Sequence, residues 1–252
     1  MINILLFCNG SLGTRVARYI VDHQGLKITA AVVNDESKRS TPLVSELESI
    51  AKDVKVFNYS DSLWLDVEFQ ELMQASNLAV SVLFGHRIPA KVINHFGTNI
   101  FNLHPSLLPI GRGADPVAWS IIEDHKQGAT IHVLTEELDQ GSIVLQSEVK
   151  TDISMSSAVV YQMAIDELFN LFGKLVEHWP EHVHPTHQDG LSSYHKTKDL
   201  IKLRSQLLDG NHELEPAIRL IQALTYSDNR EARVRFQDGT IWDVSLSLKR
   251  VD

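Results

Sequence analysis

The chain has 252 residues, 43% apolar and 22% charged, which suits one globular domain, or one domain with a small appendage, around a real core. Its single cysteine, Cys8, excludes a disulfide framework and fits a reducing compartment. A net charge of −9 lacks the basic surface that nonspecific nucleic-acid binding needs, and no apolar run approaches the roughly 18–20 residues that span a bilayer, so a cytoplasmic protein with neither nucleic-acid nor membrane partners is expected.

The first hundred residues alternate strand and helix signals. Residues 2–7 (INILLF) are a continuous apolar run of the kind a buried parallel strand shows, with no basic leader before them. Helical spacing covers 12–23 and closes at Gly25. Further strands are expected at 28–34, 54–57, 78–84 and 99–104, with helices starting near Pro42 and after Pro89. The pattern implies an α/β fold: a Rossmann-like, mostly parallel sheet with helices on both faces.

Pro105 to Pro116 reads as a loop, followed by a helix at about 116–124 and strands at 129–134 and 143–149. A long amphipathic helix is expected over roughly 155–178, its stripe being Val159, Met163, Leu168, Leu171, Phe172 and Leu175. Residues 180–198, rich in histidine and proline, read as a linker. Helices at 199–208 and 213–225 and a hairpin over 231–248 complete a small appendage, giving domains of 1–195 and 196–252. In the hairpin, Ala232, Val234, Phe236, Trp242, Val244, Leu246 and Leu248 share one face only if the loop has an odd length. Gln237-Asp238-Gly239, with a left-handed glycine, is the expected turn.

Asn102 and His104 are two apart at the end of a strand that Pro105 terminates. Period-two geometry puts both on one face, about 7 Å apart along the strand, where open α/β sheets bind ligands. Asp139 follows in a loop closed by Gly141 and can reach the same rim. The three residue types suit acyl transfer to an amine: an amide N–H for the oxyanion, an imidazole base, and a carboxylate that holds the imidazole and stabilises its protonated form.

The segments FNLHPSLLPIGRGADP (101–116) and GATIHVLTEELDQGSIV (128–144) resemble the two signature stretches of the folate-dependent formyltransferases, over about residues 1–195. The resemblance implies catalytic roles for Asn102, His104 and Asp139, N10-formyltetrahydrofolate as co-substrate, no metal, and a cis Leu108–Pro109 bond. RGADPVAWS (112–120) and SYHKTKD (193–199) are similar to the sugar-nucleotide branch, which modifies amino sugars for surface polysaccharides such as O-antigen. The implied acceptor is a nucleotide-linked 4-amino-4,6-dideoxyhexose, its base (dTDP, GDP or UDP) and sugar stereochemistry left open. The alternatives are a methionyl-tRNA formyltransferase and a Rossmann oxidoreductase or nucleotide-binding module. The first usually adds a basic C-terminal domain, whereas here the last 52 residues balance eight Lys/Arg against eight Asp/Glu. The second leaves Asn102, His104 and Asp139 without a purpose.

By the same resemblance, the pterin lies against Phe84, Gly85, His86, Arg87, Ile88 and Leu138. The acceptor meets Asn9, Gly10, Ser11, Gly111, Arg112, Gly113, Tyr194 and Lys196. The Asn9–Ser11 turn also opens a helix, where phosphate is favoured. A homodimer is implied as well, formed through the C-terminal hairpin. His178, His182, His184 and His187 lack an orienting element for a metal, and Cys8 reads as a core thiol.

Overall fold

The computed structural model describes residues 1–252 except 37–42, 52, 182, 206, 210–211, 227–231, 246 and 249–252. The expectations for Pro42, His182 and Leu246 lie outside the described residues. In chain order the elements are β1 (Ile2–Cys8), α1 (Gly10–Asp22), β2 (Leu26–Val33), α2 (Leu43–Ile50), β3 (Lys55–Asn58), α3 (Val67–Gln74), β4 (Leu78–Val82), α4 (Ala90–Phe96) and β5 (Ile100–His104). There follow β6 (Arg112–Gly113), α5 (Pro116–Ile122), β7 (Gln127–Val133), β8 (Ile143–Val149), α6 (Ser157–His178), β9 (Tyr194–His195), α7 (Thr197–Arg204), β10 (Leu207–Leu208), α8 (Leu214–Leu224), β11 (Ala232–Arg235) and β12 (Ile241–Val244).

The main sheet has seven strands in the order β3-β2-β1-β4-β5-β7-β8. The pairs β1–β2, β2–β3, β1–β4 and β4–β5 are parallel, and the central β1 and β4 read as near-continuous apolar runs because they are buried on both faces, whereas the edge strand β3 exposes Lys55 and Asn58. The chain winds one way from β1 to β3, then returns to lay β4 on the other side of β1. That reversal sets the ends of β1 and β4 side by side, where Cys8 pairs with Val82, and such a switch point is where open α/β sheets bind ligands.

The chain forms two compact units. The first comprises Met1–His104, Ile131–Val144 and Phe169–Thr186; the second comprises Pro105–Thr130, Leu145–Leu168 and His187–Asp252. One core of the first unit packs Leu5, Phe7, Val32, Phe57, Phe69, Met73, Val92 and Phe96, with Tyr59, Trp64 and Phe84 at its margin. The core of the second gathers Val117, Ile121, Val160, Leu200, Leu208, Leu224 and Ala232.

Several sequence expectations change. On α6 the expected Leu168, Leu171, Phe172 and Leu175 are buried, but the first turns bury Val160 and Ala164 and leave Val159 exposed. The three- and four-residue spacing makes that set the inner face, one position round from the expected start. α3 was not anticipated; the Asp66 carboxylate caps it by accepting the Phe69 N–H at 2.8 Å. The helix expected to reach 208 stops at Arg204, and Leu207–Leu208 instead pairs in parallel with β11.

Residues 180–198 are not a free linker. Within the first unit, Thr186 exchanges two backbone hydrogen bonds with Ile143, at 2.7 and 2.8 Å. Within the second, β9 pairs with β6. The hairpin has the expected register: Val234 pairs with Trp242 and Ala232 with Val244. Gly239 takes φ +84° in the three-residue turn. There Thr240 donates through its hydroxyl and its N–H to the Asp238 carboxylate, which holds that carboxyl below its ordinary range.

Candidate active site

Asn102 and His104 stand on β5, in register with β4 through Ser81 and Asn102. Asp139 comes from the loop between β7 and β8. That loop turns back at once: Val133 N–H donates to the Ser142 carbonyl at 2.9 Å, and Leu134 N–H to Ile100 at 2.8 Å. A Cβ at Gly141 would fall on the Val133 carbonyl oxygen, so only glycine permits the closure. Asp139 itself adopts φ +55°, which folds its carboxyl inward, and it is 7% exposed.

The three residues converge with a fourth that sequence reasoning missed. His132, on β7, is 2% exposed. Its Nδ1 lies 2.9 Å from the Val133 carbonyl oxygen. A carbonyl only accepts, so Nδ1 carries the proton, and the neutral ring offers Nε2 as an acceptor. Asn102 Nδ2 donates to that Nε2 at 3.1 Å and approaches Asp139 Oδ1 at 3.5 Å. Asp139 Oδ1 also lies 3.7 Å from His104 Nδ1 and 3.5 Å from His132 Nε2. The His104 approach is too long for a hydrogen bond, so the carboxylate acts on that imidazole through its charge. The alternating run ATIHVL held a signal for His132: it occupies the same period-two rank as Thr130 and Leu134 on a strand two residues short of the loop.

The cluster can do proton and dipole chemistry. It offers an amide N–H held in a fixed rotation, an imidazole 6% exposed, and a carboxylate placed to favour the imidazolium. Cys8 takes no part. Burial pushes its thiol up to about 12, so it is protonated near neutrality.

The remaining expected residues of the first unit follow β1, follow β4, or stand in the loop after β7. Asn9 N–H donates to the Val82 carbonyl at 2.9 Å, and Gly10 opens α1 at φ +65° beside Ser11. No acidic residue occupies the first turn of that helix, so its N-terminal dipole is unopposed there. After β4, Leu83 adopts φ +53° and the Gly85 N–H donates to Asn34 Oδ1 at 2.9 Å. Phe84 packs against Phe7 and Tyr59, and His86 stacks on Tyr59 at 3.7 Å with its Nε2 3.1 Å from Asp35. Arg87 donates to the Glu136 carbonyl at 2.8 Å, joining this turn to the loop of exposed Leu138 and buried Asp139. Ile88 is buried in the core, so only its backbone can serve a ligand.

In the second unit the loop after Pro105 is pinned from inside. The Leu108–Pro109 bond is cis. The Thr130 hydroxyl donates to the Ser106 carbonyl at 2.6 Å and accepts from Leu108 N–H at 3.2 Å. Gly111 N–H donates to Ser193 Oγ, and Arg112 and Gly113 pair with Tyr194 and His195. Gly113, at φ +90°, has no room for a side chain against the His195 carbonyl. Tyr194 is exposed, and Lys196 heads α7 with its N–H on the Asp199 carboxylate at 2.7 Å. Among the described residues no three His, Cys, Asp or Glu side chains converge as a metal site, and no helix is long and apolar enough to cross a membrane.

Comparison with known proteins identifies relatives of the chain and of its fold. Residues 3–169 match the formyl transferase family. A methionyl-tRNA formyltransferase of Syntrophus aciditrophicus is 28% identical over 165 residues, 64% of this chain and 52% of that protein. A dTDP-4-amino-4,6-dideoxyglucose formyltransferase of Mycobacterium bovis is 35% identical over 96 residues, 38% of this chain and 40% of that protein. The chain thus spans at most about half the length of these curated relatives. A sugar N-formyltransferase from a Shewanella species shares the fold over the whole of both chains, with a TM-score of 0.81 and 22% identity.

Proposed function

The chain belongs to the formyl transferase family, and we propose that it moves a formyl group from N10-formyltetrahydrofolate to the amine of a nucleotide-linked amino sugar, a 4-amino-4,6-dideoxyhexose. The observation that carries the reading is the convergence of Asn102, His104 and Asp139 at the end of β5. In the transfer, a bond forms between the acceptor nitrogen and the formyl carbon, and the carbon's bond to N10 breaks. His104 takes the proton that the attacking amine sheds and returns it to the departing nitrogen. Asn102 donates to the formyl oxygen as negative charge gathers there. Asp139 stabilises the imidazolium of His104 through its charge. Phe84–Ile88 and Leu138 would hold the pterin, the Arg87–Glu136 bond fixing the separation of the two segments. Asn9, Gly10, Ser11, Gly111, Arg112, Gly113, Tyr194 and Lys196 would meet the acceptor.

Support for a sugar acceptor comes from the named Mycobacterium relative and from a fold shared end to end with a sugar N-formyltransferase. The neutral balance of the last 52 residues favours it over tRNA, because phosphate backbones are held by clustered cations. In this reading the enzyme is cytoplasmic, serves O-antigen or related lipopolysaccharide synthesis, needs no metal and uses neither nucleic acid nor membrane. Residues 1–195 form its catalytic domain and 196–252 an appendage.

The appendage supports a homodimer. Ala232 is buried, while Phe236 and Trp242 on the same hairpin face are 54% and 60% exposed around a hollow of about 410 Å³. A two-fold mate covering that face is the common solution for such a ribbon.

The test is incubation with N10-formyltetrahydrofolate and a panel of dTDP-, GDP- and UDP-linked amino sugars, with methionyl-tRNA alongside. Formylation of a sugar nucleotide is expected. Formylation of methionyl-tRNA alone would overturn the acceptor assignment.

A further inference from the structure

Arg112 is held in an unusual way. Its backbone is clamped, with N–H on the Ser193 carbonyl at 3.0 Å and the next turn closed by Ala114 N–H on His195 at 2.9 Å. Its side chain is clamped too: Nε and Nη2 both donate to one oxygen, Gln188 Oε1, at 3.1 and 2.7 Å. A guanidinium offers only donors, so the amide must present its oxygen. Gln188 is 7% exposed, which fixes the acceptor in turn.

The partner is neutral, and that choice has a consequence. A guanidinium fork matches a carboxylate best, and other arginines of this unit use one. Arg219 pairs with Asp124 at 2.8 Å and with Glu215 at 3.0 Å, and Arg233 pairs with Asp243 at 3.1 Å. Among the described residues Arg112 makes no ion pair, and its Nη1 carries no hydrogen bond. A glutamate at 188 would hold the same geometry and cancel the charge. Glutamine holds the geometry and leaves the charge intact.

We propose that Gln188 is a positioning residue for acceptor binding: it locks the Arg112 guanidinium in one orientation without neutralising it, so that the full positive charge serves the diphosphate of a nucleotide-linked substrate. The inference rests on the sugar-nucleotide reading above. It assigns Gln188 a role through Arg112 and none in the chemical step.

The experiment compares Gln188→Glu, Gln188→Ala and Arg112→Ala in the full chain. Binding of dTDP, GDP and UDP is measured by calorimetry, and kcat and KM are measured for the accepted sugar nucleotide and for N10-formyltetrahydrofolate. Gln188→Glu is expected to weaken nucleoside diphosphate binding tenfold or more and to raise KM for the sugar nucleotide in step. Its kcat and its KM for the folate should stay within threefold of the parent. Gln188→Ala, which loosens the guanidinium but spares its charge, should be the milder variant. Adding Gln188→Glu to Arg112→Ala should weaken binding no further. A merely structural role gives the opposite order, because glutamate preserves size and acceptor and alanine does not. Should Gln188→Glu not fold, Gln188→Ala decides alone: a raised KM with kcat kept supports the role, and an equal loss of kcat overturns it. A parent chain that binds none of the three diphosphates fails the acceptor reading and this proposal together. A parent that binds one, with Gln188→Glu binding equally well, overturns the positioning role alone.

Discussion

Asn102 and His132 share a hydrogen bond of 3.1 Å, and the Nδ1 contact of His132 with Val133 makes the amide its donor. That bond sets the rotation of the Asn102 amide before any substrate arrives. Removing the amide should cost what an oxyanion donor costs, about 10²–10³ in kcat for Asn102→Ala. Removing its anchor should cost less, about tenfold for His132→Phe, the worth of one hydrogen bond. His132→Gln, which restores an acceptor, should recover most of that loss. Steady-state rates check this, and an unimpaired His132→Phe enzyme would show that the amide needs no anchor.

His104→Asn and Asp139→Asn should each lower turnover by at least about 10², with circular dichroism unchanged, since general base catalysis typically contributes that much. For the parent, the proposed transfer should speed up with pH through neutrality and then level, because in that mechanism both the attacking amine and the imidazole act unprotonated. Turnover within tenfold of the parent for either variant would remove these residues from the reacting centre.

Cys8 provides a stability prediction with a definite sign. Burial raises its thiol to about 12 in the folded state. Between its unfolded value and about 12, the unfolded chain loses this proton while the folded chain keeps it. Stability from this group is therefore complete at neutral pH and declines as pH rises through that window, by up to about 1.4 kcal/mol per pH unit. Cys8→Ala should flatten that alkaline decline relative to the parent in urea titrations at pH 8 and pH 10. Native protein should also resist a thiol reagent at pH 8 and react fully once unfolded. Rapid labelling of folded protein would contradict the burial.

Two glycines should respond differently to alanine. Gly141→Ala drives a methyl into the Val133 carbonyl and should both destabilise the protein by more than about 1 kcal/mol and displace Asp139, lowering kcat. Gly173→Ala lies within α6, where the atoms nearest a new methyl are the Tyr19 hydroxyl and ring, the closest 3.4 Å away. It should be neutral or stabilising by up to about 1 kcal/mol. Thermal melts of both variants check the contrast.

The hairpin face is testable by charge. Trp242→Glu, at a position 60% exposed, should leave the monomer fold intact and abolish a dimer that uses this face. Sedimentation of the parent and the variant at micromolar concentration decides it. A parent that is already monomeric would make the hairpin a packing element of one chain.

Much of the site was readable because it depends on local chemistry. Pro105 marks the end of β5, two-residue spacing joins Asn102 to His104, and Gly141 marks the turn that delivers Asp139. The hairpin register also followed from local rules, since facing apolar residues and one Asp-Gly admit few solutions. What escaped depends on contacts distant in sequence. His132 matters because β7 lies beside β5 in the sheet, a neighbourhood no local pattern announces. Leu207–Leu208 looks helical by spacing but pairs with Arg233 and Val234, far along the chain. Gln188 and Arg112 meet across 76 positions, inside a stretch whose prolines and histidines suggested only a tether.

The loop that carries Asp139 is anchored almost wholly through main-chain atoms. Arg87 grips the carbonyl of Glu136, Thr135 Oγ1 that of Glu137 at 2.9 Å, and Val133 N–H that of Ser142. The side chains of Glu136, Glu137 and Leu138 are exposed and take no part in these anchors. For protein engineering this separates the exposed side chains of Glu136 and Glu137 from the buried carboxylate of Asp139. A library randomised at 136 and 137, with the proposed pterin contact Leu138 left alone, can reshape the rim beside the carboxylate while the carboxylate stays where it is. The fold thus leaves these two positions open to change without moving Asp139.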